Sequence, residues 1–107
     1  MDDIIQVYTT TATSEDAQAI ADAVLEQRVA GCVQIVGPIR SAYWWNGKIE
    51  RAEEWLCIMK SHRRLFPDLE RVVRAQHPYE TPEIIAVPVV EASQPYLRWL
   101  NQELKPA

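Results

Sequence analysis

Glycine is scarce. Only three occur in 107 residues, standing singly at positions 31, 37 and 47. A loop that cradles phosphate through successive backbone N–H groups needs glycines close together, so no phosphate loop of that kind is present. The two cysteines, Cys32 and Cys57, lie far apart without a CxxC spacing, which removes zinc ribbons and dithiol redox motifs. In a reducing compartment such a pair reads as two buried thiols and not as a disulfide. His62 and His77 are the only histidines and form no HExxH, and there is no nucleophile elbow. No apolar run approaches the roughly 20 residues of a membrane-spanning helix. Basic residues are outnumbered 11 to 15, and the net charge of -4 is a poor footing for phosphate backbones. Neither nucleic acid nor membrane is an expected partner.

What remains is a chain that is 48% hydrophobic, too apolar for disorder and long enough for one core without metals or disulfides. No repeat, low-complexity tract or linker divides it, so residues 1–107 read as a single domain. Met1-Asp2-Asp3 leads straight into a strand-like run with no basic stretch and apolar core, which reads as no secretory peptide and a cytoplasmic protein.

Ile4 to Thr10 is rich in β-branched residues and reads as a first strand. Thr13 or Ser14 can cap a helix whose first turn carries Glu15 and Asp16 and whose one face carries Ala17, Ile20, Ala21, Val24 and Arg28, with Gly31 ending it. Cys32 to Ser61 reads as one long hairpin turning at Asn46-Gly47, because both residues tolerate the positive φ of a type I′ turn. That turn pairs Arg40 with Glu53 and Trp44 with Ile49, both favourable couples. Gly37-Pro38 predicts a bulge or kink in the outgoing arm. A second helix lies between His62 and Gln76, with Pro67 in its first turn and Leu65, Leu69, Val72 and Val73 on one face, and His77-Pro78 stops it. Tyr79 to Glu83 is a loop and Ile84 to Val90 a fourth strand. Ser93 then caps a last helix carrying Tyr96, Leu97, Leu100 and Leu104.

This order, βαββαβ plus a terminal helix, is the ferredoxin-like α+β arrangement with strands in the order 4-1-3-2. The prolines agree, since Pro38 and Pro88 fall in strands two and four, the edges of that order, where a missing N–H is tolerated. The hairpin does not suit a lone chain. Arms of about 14 residues reach about 46 Å, whereas a helix of about 15 residues covers only about 22 Å. The tip carries Tyr43, Trp44 and Trp45, and alternation sends the two tryptophans to opposite faces. A second chain is expected to cover what this one leaves exposed.

For chemistry, the densest stretch is His77-Pro78-Tyr79-Glu80-Thr81-Pro82-Glu83, an imidazole, a phenol and two carboxylates in a loop stiffened by two prolines. His77 and Glu80 together suit copper, zinc or nickel, although one imidazole makes no specific site. Lys60, near the end of an apolar run, can present an ammonium to an anionic ligand.

Taken together, Val7-Tyr8-Thr9-Thr10, Arg28-Val29-Ala30-Gly31-Cys32, Ser41-Ala42-Tyr43-Trp44-Trp45-Asn46-Gly47-Lys48-Ile49, Lys60, the His77 to Ile85 stretch and Tyr96-Leu97-Arg98-Trp99-Leu100 closely resemble the CutA family of divalent-cation tolerance proteins. The likeness spans almost the whole chain. It implies a ferredoxin-like domain assembled as a tight homotrimer, built much like the PII signalling proteins, with neighbouring sheets joined through the long hairpins. It also implies a role in tolerance to copper and other divalent metals, with no settled chemical reaction. The family's copper site uses a cysteine in the first strand and two successive histidines before the Pro-Tyr. Thr9, Gln76 and His77 stand there in this chain, so only His77 remains as a metal candidate, and any Cu(2+) or other divalent cation should be held weakly or by different ligands. The expected reading is a non-enzymatic cytoplasmic trimer. Cys32, Lys60, Tyr79 and Glu80 line its intersubunit clefts, and Tyr43, Trp44 and Trp45 serve assembly. The alternative is a PII-like sensor or enzyme that binds a small anionic ligand or nucleotide in that cleft, with Lys60 as anchor and His77 or Glu80 as acid-base group. An RNA-binding reading of the same strand order lacks both the aromatic Gly-rich motif and the positive charge.

Overall fold

The computed structural model describes residues 3–106; the reading of Met1 and Asp2 as a leaderless start lies outside them. The elements run β1 (Ile4–Thr11), α1 (Ser14–Glu26), β2 (Cys32–Trp45), β3 (Lys48–His62), a 3-10 turn (Arg63–Leu65), α2 (Phe66–Gln76), β4 (Ile85–Pro88) and α3 (Gln94–Glu103). The sheet order is β2-β3-β1-β4 with every neighbouring pair antiparallel, so the ferredoxin-like expectation holds, and both proline-bearing strands are edges.

Alternation along the strands divides the sheet into two unlike faces. Val7 and Met59 are register partners, as are Thr9 and Cys57, and all four are fully buried under α1 and α2 with Ile20, Val24, Leu69 and Val73. A second, smaller cluster joins α3 to the sheet's end through Ile4, Leu65, Leu97, Leu100 and Leu104. The other face is covered by α3 only at its Ile4 and Cys32 end, and among the described residues the rest has no helical layer. Tyr8, Ile58 and Gln34 lie abreast on it, followed by Val36 beside Leu56 and by Ile85 beside Tyr8, and Val36 and Ile85 are 46% and 48% exposed.

The hairpin follows its turn chemistry. Asn46 and Gly47 take φ of 51° and 76°, and the ladder pairs Arg40 with Glu53 and Trp44 with Ile49 as expected. The bulge falls between Val36 and Ile39, at a cis Gly37–Pro38 peptide. The molecule's longest dimension is 44 Å, set by these arms, while Trp44 and Trp45 stand 71% and 52% exposed on opposite faces of the tip.

Four expectations need correction. α1 ends at Glu26, not at Gly31, so Arg28 lies beyond the helix, exposed rather than on its buried face. Arg28 itself turns the chain, at φ 56°, a costly angle for a side chain with a Cβ. Distant contacts hold it there. The Lys105 N–H donates to the Arg28 carbonyl at 2.9 Å, and the Arg28 guanidinium donates to the Glu103 carbonyl at 2.9 Å. Second, β3 runs one residue further, to His62, whose Nδ1 accepts the Arg64 N–H at 3.1 Å and caps the 3-10 turn that precedes α2. Third, β4 is four residues long where seven were expected, because only Ile85 to Pro88 lie alongside β1 before the chain leaves the sheet for α3. Fourth, Ser93 occupies the N-cap of α3 without a side-chain hydrogen bond, whereas Thr13 does cap α1, accepting the Asp16 N–H at 3.1 Å.

Candidate functional site

Pro78 ends α2 one residue after His77, because the residue before a proline is pushed into extended geometry, and His77 has φ -77° and ψ 130°. This drops the His77 ring against the end of β1. Its Nε2 lies 2.8 Å from the Thr10 carbonyl and its Nδ1 lies 3.1 Å from the Tyr79 amide nitrogen. An amide N–H can only donate, so Nδ1 is the bare nitrogen, while Nε2 carries the proton and donates to Thr10. The residue is 8% exposed. Burial pulls its pKa below the usual histidine range, outweighing the Thr10 carbonyl and the charges of Asp16 and Glu54.

The chain turns directly after His77, and the Tyr79 ring packs on the imidazole with centroids 4.8 Å apart. The Tyr79 hydroxyl donates to Glu54 Oε2 at 2.7 Å. Glu54, only 5% exposed, sits on the face of β3 away from α1 and α2, in line with Leu56 and Ile58. Burial first, and then the Glu54 carboxylate, push the Tyr79 phenol well above its ordinary pKa, so it stays a donor.

These two residues border a groove of about 800 Å³ between the hairpin and the 79–83 loop. Tyr43, Trp45 and Tyr79 give it aromatic walls. Glu50, Glu54, Glu80 and Glu83 give it four carboxylates, and no lysine or arginine lines it. Its lining carries only negative charge among the described residues, and such groups favour a cation: carboxylate oxygens suit hard metal ions, and aromatic faces suit organic ammonium groups. Among the described residues, no group of three or more His, Cys, Asp or Glu is arranged to hold a metal, so the carboxylates surround the groove without forming a chelate.

The expected cleft residues separate into two groups. Tyr79 and Glu80 line the groove, joined by Tyr43 and Trp45 of the hairpin; Trp44 points to the other face. Cys32 and Lys60 are register partners at the far end of the sheet, six residues from Glu54 along β3 or about 20 Å. There the Lys60 ammonium donates to Gln34 Oε1 at 2.8 Å, and Tyr96, its phenol pKa raised by burial and by Cys32, packs at that end. Within one chain the four do not converge, and an anion anchored at Lys60 does not reach His77 or Glu80. Glu50 and Glu54 were missed, whereas Glu83, the second carboxylate of the His77–Glu83 loop, does line the groove. The available signal was at Glu54, a carboxylate in line with Leu56 and Ile58 in a period of two.

The copper position implied by the resemblance does not fit a resident soft metal. Thr9 replaces the thiolate and is fully buried under the helices, Gln76 offers an exposed amide, and both ring nitrogens of His77 are engaged. The thiol of Cys57, the register partner of Thr9, is also unsuited, since burial pushes its pKa up to about 11 and the thiolate is the ligating form. Thr9 shows the mismatch energetically, because its buried hydroxyl has no hydrogen-bond partner. Thr9→Val removes that orphan group at nearly constant shape and is expected to stabilise the protein by about 1 kcal/mol, read from denaturant midpoints at unchanged slope.

A βαββαβ sheet with α1 and α2 on one face, an overlong aromatic hairpin and a glutamate-lined groove beside it defines a ferredoxin-like α+β protein. The chain belongs to the CutA1 divalent ion tolerance family, whose family model matches residues 5–103. The Thermus thermophilus divalent-cation tolerance protein CutA is 41% identical over 96 residues, covering 90% of this chain and 93% of that one. Mouse protein CutA is 43% identical over 95 residues, 89% of this chain, but the chain spans only about half of that relative's length, 54%. The crystal structure of CutA1 from Oryza sativa superposes with a TM-score of 0.96 at 35% identity, covering 99% of this chain and 97% of that one.

Proposed function

We propose that this protein acts in divalent-cation tolerance as a cytoplasmic homotrimer that meets cations weakly, through carboxylate oxygens of the groove beside Tyr79 and not through a soft copper pocket. The observation that carries this reading is the groove lining, which among the described residues holds four glutamates and no basic side chain. Assembly is supported by the part of the sheet face that has no helical layer and by the exposed aromatic hairpin, both of which a neighbouring copy would cover. The trimer also supplies what one chain lacks, since clefts between copies can bring the Cys32–Lys60 end of one sheet toward the groove of the next. Two free cysteines suit a reducing compartment.

Equilibrium dialysis against Mn(2+), Zn(2+) and Cu(2+) tests the cation reading. Dissociation constants of roughly 10⁻⁴–10⁻³ M are expected, as for oxygen sites of few converging ligands, weakened further in a Glu80→Gln/Glu83→Gln variant. Micromolar copper binding that survives in that variant would overturn it.

A further inference from the structure

His77 is the one residue at the implied copper position that this chain keeps, and its imidazole has no free nitrogen. To ligate through Nδ1 the ring must release the Tyr79 N–H. To ligate through Nε2 it must lose its proton and abandon the Thr10 carbonyl. Either route takes an ion to a residue that is only 8% exposed and leaves a backbone group without its partner. The same two bonds have a geometric effect. One anchors the ring to the end of β1, and the other sets the chain direction immediately before the Tyr79 side chain, whose ring also rests on the imidazole. Tyr79 is thereby aimed across the sheet at Glu54, 25 residues away in sequence.

We propose that His77 is a positioning residue of the groove and not a metal ligand: its neutral ring bridges the Thr10 carbonyl and the Tyr79 N–H and so holds the Tyr79 phenol on the Glu54 carboxylate. This rests on the groove being the surface that meets cations. Burial of the ring supports it, since desolvation disfavours the imidazolium that would no longer accept the Tyr79 N–H. The bond from Nδ1 to the N–H two residues on has the geometry of an Asx turn, which identifies the conservative substitute. In His77→Asn a side-chain oxygen can take over as acceptor for Tyr79, but no imidazole remains.

The test uses the full chain labelled with ¹⁵N. Long-range ¹H–¹⁵N spectra at neutral pH are expected to show His77 as the Nε2–H tautomer, with both ring resonances unmoved by Zn(2+) at concentrations that occupy the groove. The Tyr79 amide is expected to exchange about tenfold faster in His77→Ala, the loss of roughly one hydrogen bond, and to return to within about twofold of the native rate in His77→Asn. A His77 ring resonance that shifts with zinc, an Nδ1–H tautomer, or a Tyr79 exchange rate unchanged in His77→Ala each overturns the proposal. If His77→Ala does not fold, the tautomer and the zinc titration of the native chain decide. Absence of zinc binding anywhere removes the groove reading, and the tautomer and exchange rates then judge the positioning role separately.

Discussion

Ile58→Glu is expected to convert the native assembly into single folded chains. Ile58 lies mid-strand in β3 on the sheet face away from α1 and α2, between Tyr8 of β1 and Gln34 of β2, and is only half-buried in the lone chain. A glutamate there keeps its carboxylate in water when the chain is alone, so the fold itself should lose little. In a trimer that packs these faces together, three carboxylates enter a dry interface without partners, at a cost of several kcal/mol each. Light scattering at micromolar concentration should therefore read about 37 kDa for the native protein, three copies of the 12.3 kDa chain, and about one chain mass for the variant. The circular dichroism of the two should agree, and Ile58→Val should remain trimeric. A native mass of one chain, or an unchanged mass in Ile58→Glu, would sink the assembly reading.

Gly37→Ala should be the most damaging of the conservative glycine substitutions. Gly37 lies at the bulge of β2 directly against the indole of Trp55, and a Cβ added there would overlap the ring at Cδ1 and Cγ. Trp55 packs on the main core, so the indole cannot retreat without opening contacts with that cluster. Overpacking of this kind costs about 2–3 kcal/mol, or roughly 10–15 °C in Tm for a chain of this size. Gly31→Ala provides the contrast. Its Cβ meets only the terminal Cδ1 of Leu100, at 2.5 Å, where Gly37 faces three atoms of a rigid ring; Leu100 is fully buried and can give only within its cluster, so a smaller loss of about 1–2 kcal/mol is expected. Denaturant melts of both variants at one protein concentration check the ranking. The steric account predicts that Gly37→Ala costs less in a Trp55→Phe background, and a loss below about 0.5 kcal/mol in the native background would refute it.

Much of the site's frame was legible before any coordinates. The Asn46-Gly47 turn dictated the hairpin register, and strand lengths alone exposed the overhang that carries Tyr43 and Trp45 to the groove. The loop from His77 to Glu83 stood out by composition, and Tyr79, Glu80 and Glu83 do line the groove. Glu54 did not stand out, because its significance depends on a phenol 25 residues later reaching it across the sheet. The role of His77 was equally hidden, since an imidazole in a polar loop looks the same whether its nitrogens are free or engaged.

The division has a physical origin. Strand and helix identity, the turn, the edge strands marked by Pro38 and Pro88, and the two-faced sheet rest on periodicity, φ preferences and missing donors, which act within a few residues of one another. These the sequence determined by itself. The left-handed turn at Arg28 is sustained by Glu103 and Lys105, more than 70 residues away. The burial of His77 against Thr10, 67 residues distant, and the separation of Cys32 and Lys60 from the acidic groove are likewise properties of the packed chain. Only the tertiary structure decided them, because each depends on which distant backbone group or side chain the fold brings within hydrogen-bond reach.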